Sequence, residues 1–189
     1  MVLLAMLRHG ETAWSAEGRI QGRTDVLLSD GGRAAIRSMR LPKTCAEMRI
    51  ITSPLARCVE TAALLGAPQA EREPRIAEMS WGEWEGRRLA ELRTQLGAAM
   101  AENEARGWDF RPEGGESPRE VLARVRSWLA ELPVPTLAIT HRGVIRAIYA
   151  QAAGWDLRGT PPAKLDWSAV QLFRLGADGA PSVERLNLR

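Results

Sequence analysis

MLRHGET, Met6 to Thr12, follows an apolar run from Met1 to Met6 that reads as a buried strand. A strand that ends in Arg8-His9-Gly10 sets a cation, an imidazole and an exposed backbone at one strand tip. Ligands of open α/β sheets bind at the carboxyl ends of strands. The chain holds only two histidines, and the second has the same setting. Pro135 to Thr140 (PTLAIT) is apolar, and His141-Arg142-Gly143 follows directly. Two scarce residues at two matching strand ends are the main clue to the chemistry.

The remaining segments support a sheet fed by helices. Ser29-Asp30-Gly31-Gly32 introduces a helix with Ser29 as its cap. Arg49 to Thr52 reads as a short buried strand. Ser53-Pro54 then reads as an N-cap and a first-turn proline, opening a helix that runs to about Leu65. Arg57 and Thr61 lie one turn apart on it, where a guanidinium beside a helix N-terminus makes an anion site. A surface ion pair of Arg57 with a neighbour such as Glu60 is the simpler alternative.

Ala77 to Gly86 is a loop of carboxylates, tryptophans and glycines without clear period. A carboxyl group desolvated beside Trp81 or Trp84 would have a raised pKa and suit a general acid. Tryptophans that merely pack the loop are an equal alternative. Arg87 to Arg106 reads as one amphipathic helix. Ser117-Pro118-Arg119-Glu120 is a capping box opening another, whose apolar face (Val121, Leu122, Val125, Trp128, Leu129) is core. Gly143 to Ala153 reads as a helix stopped by Gly154. Ser168 to Leu175 and Ser182 to Leu188 alternate around Asp178-Gly179 as a hairpin. Strands followed by helices predict an α/β fold with a mostly parallel sheet. No linker divides residues 1–189, so a single domain is expected.

Composition narrows the function. The net charge is only +3, and no basic stripe carries interleaved aromatics, so nucleic-acid binding is not expected. Lys43 and Lys164 are the only lysines among 26 basic side chains. Arginine favours forked recognition of phosphate and carboxylate, although base composition of the genome explains the bias equally well. Cys45 and Cys58 match no metal or redox spacing, which suggests two reduced thiols in the cytoplasm. The first apolar run is too short to span a membrane and lacks the basic flank of a signal peptide. Two histidines without a third His, Cys or well-placed Asp make a poor zinc site. They suit a phosphoryl group instead. Arginines bind its oxygens, a neutral imidazole attacks phosphorus, and positive charge stabilises the transition state.

These motifs, in order along most of the chain, resemble those of the histidine phosphatase superfamily, with its phosphoglycerate mutase-like fold. Leu7-Arg8-His9-Gly10-Glu11-Thr12 resembles the family signature. Trp14, Gly18 to Gly22 and Leu27-Leu28-Ser29 follow its pattern. Thr52 to Ala62 resembles the second motif, and Glu78 with Gly82-Glu83-Trp84-Glu85-Gly86 resembles the acid-bearing loop. Gly114 to Ser117 and Thr140 to Arg146 complete the set. The resemblance implies a three-layer α/β/α fold and a phosphohistidine mechanism with no metal or cofactor. It implies His9 as nucleophile, Arg8, Arg57 and His141 on the phosphoryl oxygens, and Glu78 as acid and then base. Gln21 and Gly22 are implied at the phosphate.

Two positions depart from the family pattern. Ser15 stands where Asn is frequent, which weakens its contact with phosphate. Arg142 replaces a small or neutral residue and brings charge to the rim, where it is expected to select a substrate with a second anionic group; the alternative is that it points away and pairs with a carboxylate. The expected function is hydrolysis of a small phosphorylated metabolite. A cofactor-dependent phosphoglycerate mutase is the alternative, although mutases of this family usually carry a longer insertion near the acid loop. A ribazole-phosphate or fructose-bisphosphate phosphatase and a non-catalytic phosphate sensor are further readings. The sensor is disfavoured by the complete residue set. Oligomeric state is open, a homodimer included.

Overall fold

The first strand shows why its sequence does not alternate. In the computed structural model, which describes residues 1–189, Leu4, Ala5, Met6 and Leu7 are all fully buried. A strand covered on both faces reads as a continuous apolar run. In chain order the elements are β1 (Val2–Arg8), the one-turn helix α1 (Ala13–Ala16), α2 (Asp30–Ser38), β2 (Arg49–Thr52), α3 (Ala56–Leu64) and β3 (Glu71–Arg72). They continue with α4 (Leu89–Leu96), α5 (Ala98–Glu104), α6 (Pro118–Glu131), β4 (Thr136–Thr140), α7 (Arg142–Ala153), β5 (Val170–Leu175) and β6 (Pro181–Leu188).

The six strands form one sheet in the order β3-β2-β4-β1-β5-β6. The pairs β3–β2, β2–β4 and β4–β1 are parallel, whereas β5 runs antiparallel to both β1 and β6. Side chains of successive strand residues point to opposite faces. Leu4 and Met6 therefore join Val125, Leu129, Val144, Ile148 and Phe173 under α6 and α7. Ala5 and Leu7 join Cys45, Met48 and Leu172 on the other face. Cys58 and Ala62 of α3 close over Ile139. The result is the expected three-layer arrangement. Cutting a fully buried leucine such as Leu4 to alanine in such a core costs about 2–5 kcal/mol.

Local signals set several boundaries. Ser29 accepts from the Gly32 amide at 3.0 Å and caps α2. Ser117 and Glu120 form the reciprocal capping box of α6. Gly154 ends α7 in the left-handed conformation, at φ 65°. Two expectations need correction. The helix after β2 starts at Ala56, not at Pro54, and Ser53 does not cap it. The Asp25 carboxylate, distant in sequence, accepts from the Ala56 amide at 2.9 and 3.1 Å instead. The span from Arg87 to Arg106 is two helices rather than one. Gly97 breaks it at φ 50°, a backbone conformation that favours glycine.

The decisive feature is the place of β4, which the chain threads back between β1 and β2. Leu7 pairs with Ile139 and Arg8 with Thr140, so both strands end at one level. The His9 amide continues the ladder to the Thr140 carbonyl at 3.0 Å, and the Ser53 amide bonds the Ile139 carbonyl at 2.9 Å. The segments after β1, β2 and β4 thus leave the sheet side by side.

Candidate active site

At that edge the two histidine rings lie 5.2 Å apart between centroids, and both are buried. His9 Nδ1 is 2.7 Å from the Gly10 carbonyl oxygen. A carbonyl only accepts, so Nδ1 carries the proton and Nε2 keeps its lone pair. Burial, then the guanidiniums of Arg8 and Arg57, hold the His9 pKa well below the ordinary histidine value. His9 is therefore a neutral imidazole with a free basic nitrogen. Its support comes from α3. The Gly10 amide donates to Thr61 Oγ1 at 3.0 Å, and that hydroxyl donates to the Arg57 carbonyl at 2.7 Å.

Arg57 is fully buried, so the surface ion pair is not formed; Glu60 pairs with Arg33 instead, at 2.5 Å. Arg57 Nη2 donates to the Gly22 carbonyl at 2.7 Å and Nη1 to the Thr24 carbonyl at 2.9 Å. Its Nε lies 3.3 Å from His141 Nδ1. A guanidinium only donates, so His141 Nδ1 accepts and its proton sits on Nε2, 2.7 Å from Ser53 Oγ. Burial, then Arg57, keep His141 neutral as well. Arg8 completes the cation pair. Its Nε is buried without a hydrogen-bond partner, as is Nε2 of Gln21. Buried polar atoms are normally paired, and the unpaired Nε of Arg8 and Nε2 of Gln21, the latter next to the Gly22 carbonyl that Arg57 holds, fit an anion-binding cradle.

Glu78 is buried beside this group. Its carboxylate accepts from the Met79 amide at 2.8 Å and from the Gly143 amide at 3.1 and 3.2 Å. Burial raises its pKa above the ordinary carboxylate value, and the two amides and both arginines only partly offset that. The tryptophans take the packing role. Trp81 and Trp84 face each other and Phe110, and Trp84 packs with Leu92 and Met100.

Ser15 turns its hydroxyl to the Thr12 amide and carbonyl, in the capping box of α1. Arg142 is exposed, and its guanidinium lies 4.9 Å over the Trp167 ring rather than on a carboxylate. Gly22 lies in the loop that receives Arg57, at φ 55°. No group of three or more His, Cys, Asp or Glu side chains is placed to hold a metal ion. No helix is long and apolar enough to cross a membrane.

The local patterns did not reveal four supporting residues. Ser53 orients His141. Glu85 accepts from the amides of Arg23, Thr24 and Trp81, tying the Arg57 loop to the acid loop. Glu116 accepts from the Ser80 amide at 2.9 Å. Arg124 donates to the carbonyls of Arg75, Ala77 and Glu78 and pairs with Glu116. Each bridges segments far apart in sequence. The only trace was the density of charge at Glu83-Trp84-Glu85 and around Glu116.

This architecture, a neutral histidine beside the buried Arg57 and the half-buried Arg8 at the tips of parallel strands, has known counterparts. Residues 4–189 match the family described as the histidine phosphatase superfamily (branch 1). Glucosyl-3-phosphoglycerate phosphatase of Mycobacterium tuberculosis is 32% identical over 179 residues, covering 82% of this chain and 79% of that protein. 2,3-Bisphosphoglycerate-dependent phosphoglycerate mutase 2 of Gloeobacter violaceus is 29% identical over 193 residues, covering 95% and 88%. The native structure of the mycobacterial glucosyl-3-phosphoglycerate phosphatase matches the fold with a TM-score of 0.76 at 27% identity, over 100% of this chain and 99% of that one. The chain belongs to the histidine phosphatase superfamily. A phosphatase and a mutase are both among the proteins it resembles.

Proposed function

We propose that the protein is a phosphomonoesterase that hydrolyses a small phosphorylated metabolite through a phosphohistidine on His9, without a metal or cofactor. The observation that carries this reading is the His9 Nδ1–Gly10 hydrogen bond, which leaves Nε2 as a nucleophile. In the first step Nε2 bonds to phosphorus as the bond to the leaving oxygen breaks. Glu78, whose raised pKa favours the protonated form, gives its proton to that oxygen. In the second step water attacks phosphorus, the P–N bond breaks, and Glu78 takes the water proton. Arg8, Arg57 and His141 are assigned to the phosphoryl oxygens, His141 by turning its Nε2–H from Ser53 Oγ to the substrate, and the fixed positive charge of the arginines stabilises the transition state. Gln21 and the Gly22 backbone are assigned to the cradle rim. Ser15, held by Thr12, is assigned at most a contact through water. Arg142 is assigned a longer-range attraction for a second anionic group.

The catalytic unit in this reading is residues 1–189, acting on a small molecule rather than on nucleic acid or at a membrane. Two buried free thiols support a cytoplasmic setting. A bisphosphoglycerate-dependent mutase is the second reading, favoured by the Gloeobacter relative. The short helices α4 and α5 favour hydrolysis, since they leave water a route to the phosphohistidine.

Phosphate release from a panel of small phosphomonoesters, with and without excess EDTA, tests the proposal. Release that EDTA does not alter is the expected result. Release that stops in EDTA and returns with a divalent cation would overturn the metal-free mechanism. No release, together with turnover of 3-phosphoglycerate primed by its bisphosphate, would establish the mutase. Ester binding without either activity would leave a sensor.

Gly143 gives a sharper check on the acid. A Cβ at this position would overlap Glu78 Oε1 and come within 3.2 Å of Met79 Cβ. Gly143→Ala is expected to displace the carboxyl group and slow esters with poor leaving groups by about 10²-fold, the scale of a misplacement of about 1 Å. An alanine variant with parental rates on alkyl phosphates would remove Glu78 from this role.

A further inference from the structure

A cavity of about 310 Å³ lies beside the acid and away from the phosphate-facing arginines. Met79 and Gly143 line it, and these are the two residues whose amides hold the Glu78 carboxylate. Its wall is otherwise apolar and aromatic at Trp81, Leu89 and Phe110. Three charged residues reach it. Arg93 and Glu104 neutralise each other through contacts of 2.7 and 2.9 Å. Arg146 has no carboxylate or carbonyl partner, and its guanidinium rests 5.0 Å over the Trp155 ring. The three charges leave the cavity net positive by one, and Arg146, which is exposed to solvent, also feels the Glu104 carboxylate. Arg142, one turn earlier on α7, does not line it.

We infer that this cavity is the leaving-group subsite, and that Arg146 binds a carboxylate carried by a leaving group with an apolar or aromatic body. The inference rests on the phosphatase reading of the site. The leaving oxygen must lie within reach of Glu78, so the rest of the leaving group extends past Gly143 and Met79. Arg146 follows Gly143 by three residues on the same helix face, a rise of about 4.5 Å. A single aromatic ring or a short carbon chain between the ester oxygen and the carboxylate covers that distance. The volume is at the lower end for small-ligand pockets, roughly 300–1,000 Å³, which fits a body of this size. A forked guanidinium contact to a carboxylate gives direction as well as charge.

The test compares 4-carboxyphenyl phosphate with phenyl phosphate, in the parent, Arg146→Met and Arg142→Gly proteins. Methionine keeps an apolar stem against Trp155. The expected result is that Arg146→Met lowers the ratio of kcat/KM between the two esters by about tenfold or more, through KM rather than kcat. Arg142→Gly is expected to change that ratio less. A ratio that Arg146→Met shifts by less than about threefold, or one that only Arg142→Gly shifts, overturns the inference.

If neither ester is hydrolysed, the phosphatase reading has failed separately. Calorimetry with 4-carboxyphenylphosphonate and phenylphosphonate then decides the subsite. A preference for the carboxylated ligand that Arg146→Met removes supports it, and equal affinities overturn it. If Arg146→Met does not fold, the parent's own ratio decides, because a parent that binds both phosphonates equally has no such subsite.

Discussion

His9→Ala is expected to abolish phosphate release, by about 10⁴-fold or more, since no other group can form the covalent intermediate. The neighbouring side chains give the reason. His9 is the only imidazole at the strand edge with an unprotonated nitrogen free of contacts, because His141 Nδ1 accepts from Arg57 and its Nε2 faces Ser53. Arg8 and Arg57 then hold only substrate and product. The fold is expected to survive, since the His9 side chain contributes one hydrogen bond, to the adjacent Gly10 carbonyl. Steady-state phosphate release beside a thermal melt measures both. A folded variant that keeps a tenth of the parental rate would rule out the phosphohistidine route.

The same burial sets an acid limit on stability. Both histidines titrate below their ordinary range, from burial first and then from neighbouring arginines. The unfolded chain takes up protons near pH 6.5, whereas the folded chain does so only at lower pH. Stability from these groups is complete above about pH 6.5 and falls as the pH drops below it.

Glu78→Gln has the second large effect, and its size is expected to depend on the ester. Alkyl phosphates, whose alkoxides need a proton to leave, should slow by about 10²–10⁴-fold, the range of general acid catalysis. 4-Nitrophenyl phosphate, whose leaving group departs as a stable anion, should slow far less. In the parent, rates on alkyl phosphates should fall as the pH rises through the Glu78 pKa, and the glutamine variant should lose that limb. Equal slowing of all esters would remove the acid assignment.

Stability should move the other way. The folded pKa of Glu78 is raised by burial, so its stabilising contribution is present below the unfolded carboxylate pKa of about 4.3. That contribution is lost as the pH rises through the folded value. A neutral glutamine avoids the loss and can still accept from Met79 and Gly143. Urea denaturation at pH 4 and pH 7 should show the variant gaining on the parent as the pH rises.

Much of this arrangement was legible in the chain. The run through Arg8 and the run before His141 read as buried strands, because each is short, apolar at consecutive positions and closed by a polar side chain before a glycine. Capping chemistry at Ser29 and Ser117 and the stop at Gly154 depend on neighbours within a few residues, so sequence alone placed them. The Arg8-His9-Gly10 tip and His141 stood out because the chain has only two histidines and both close apolar runs, whereas Arg57 read locally as a surface ion pair and entered the site through the family resemblance. Glu78 was marked as a candidate acid, but its neighbours in sequence pointed to the tryptophans for its desolvation.

Only the tertiary structure decided the rest. The cap of α3 comes from Asp25, and the tautomer of His141 is set by Ser53 and Arg57. The Glu78 carboxylate is held by the first turn of α7, and Glu85, Glu116 and Arg124 lash the loops that carry the site. Arg146, rather than the more conspicuous Arg142, reaches the cavity. Strand and helix periods are fixed by covalent geometry over a few residues. Protonation, orientation and charge pairing are fixed by what lies within about 3 Å in space, and here those partners come from distant parts of the chain that meet only when β4 is inserted between β1 and β2.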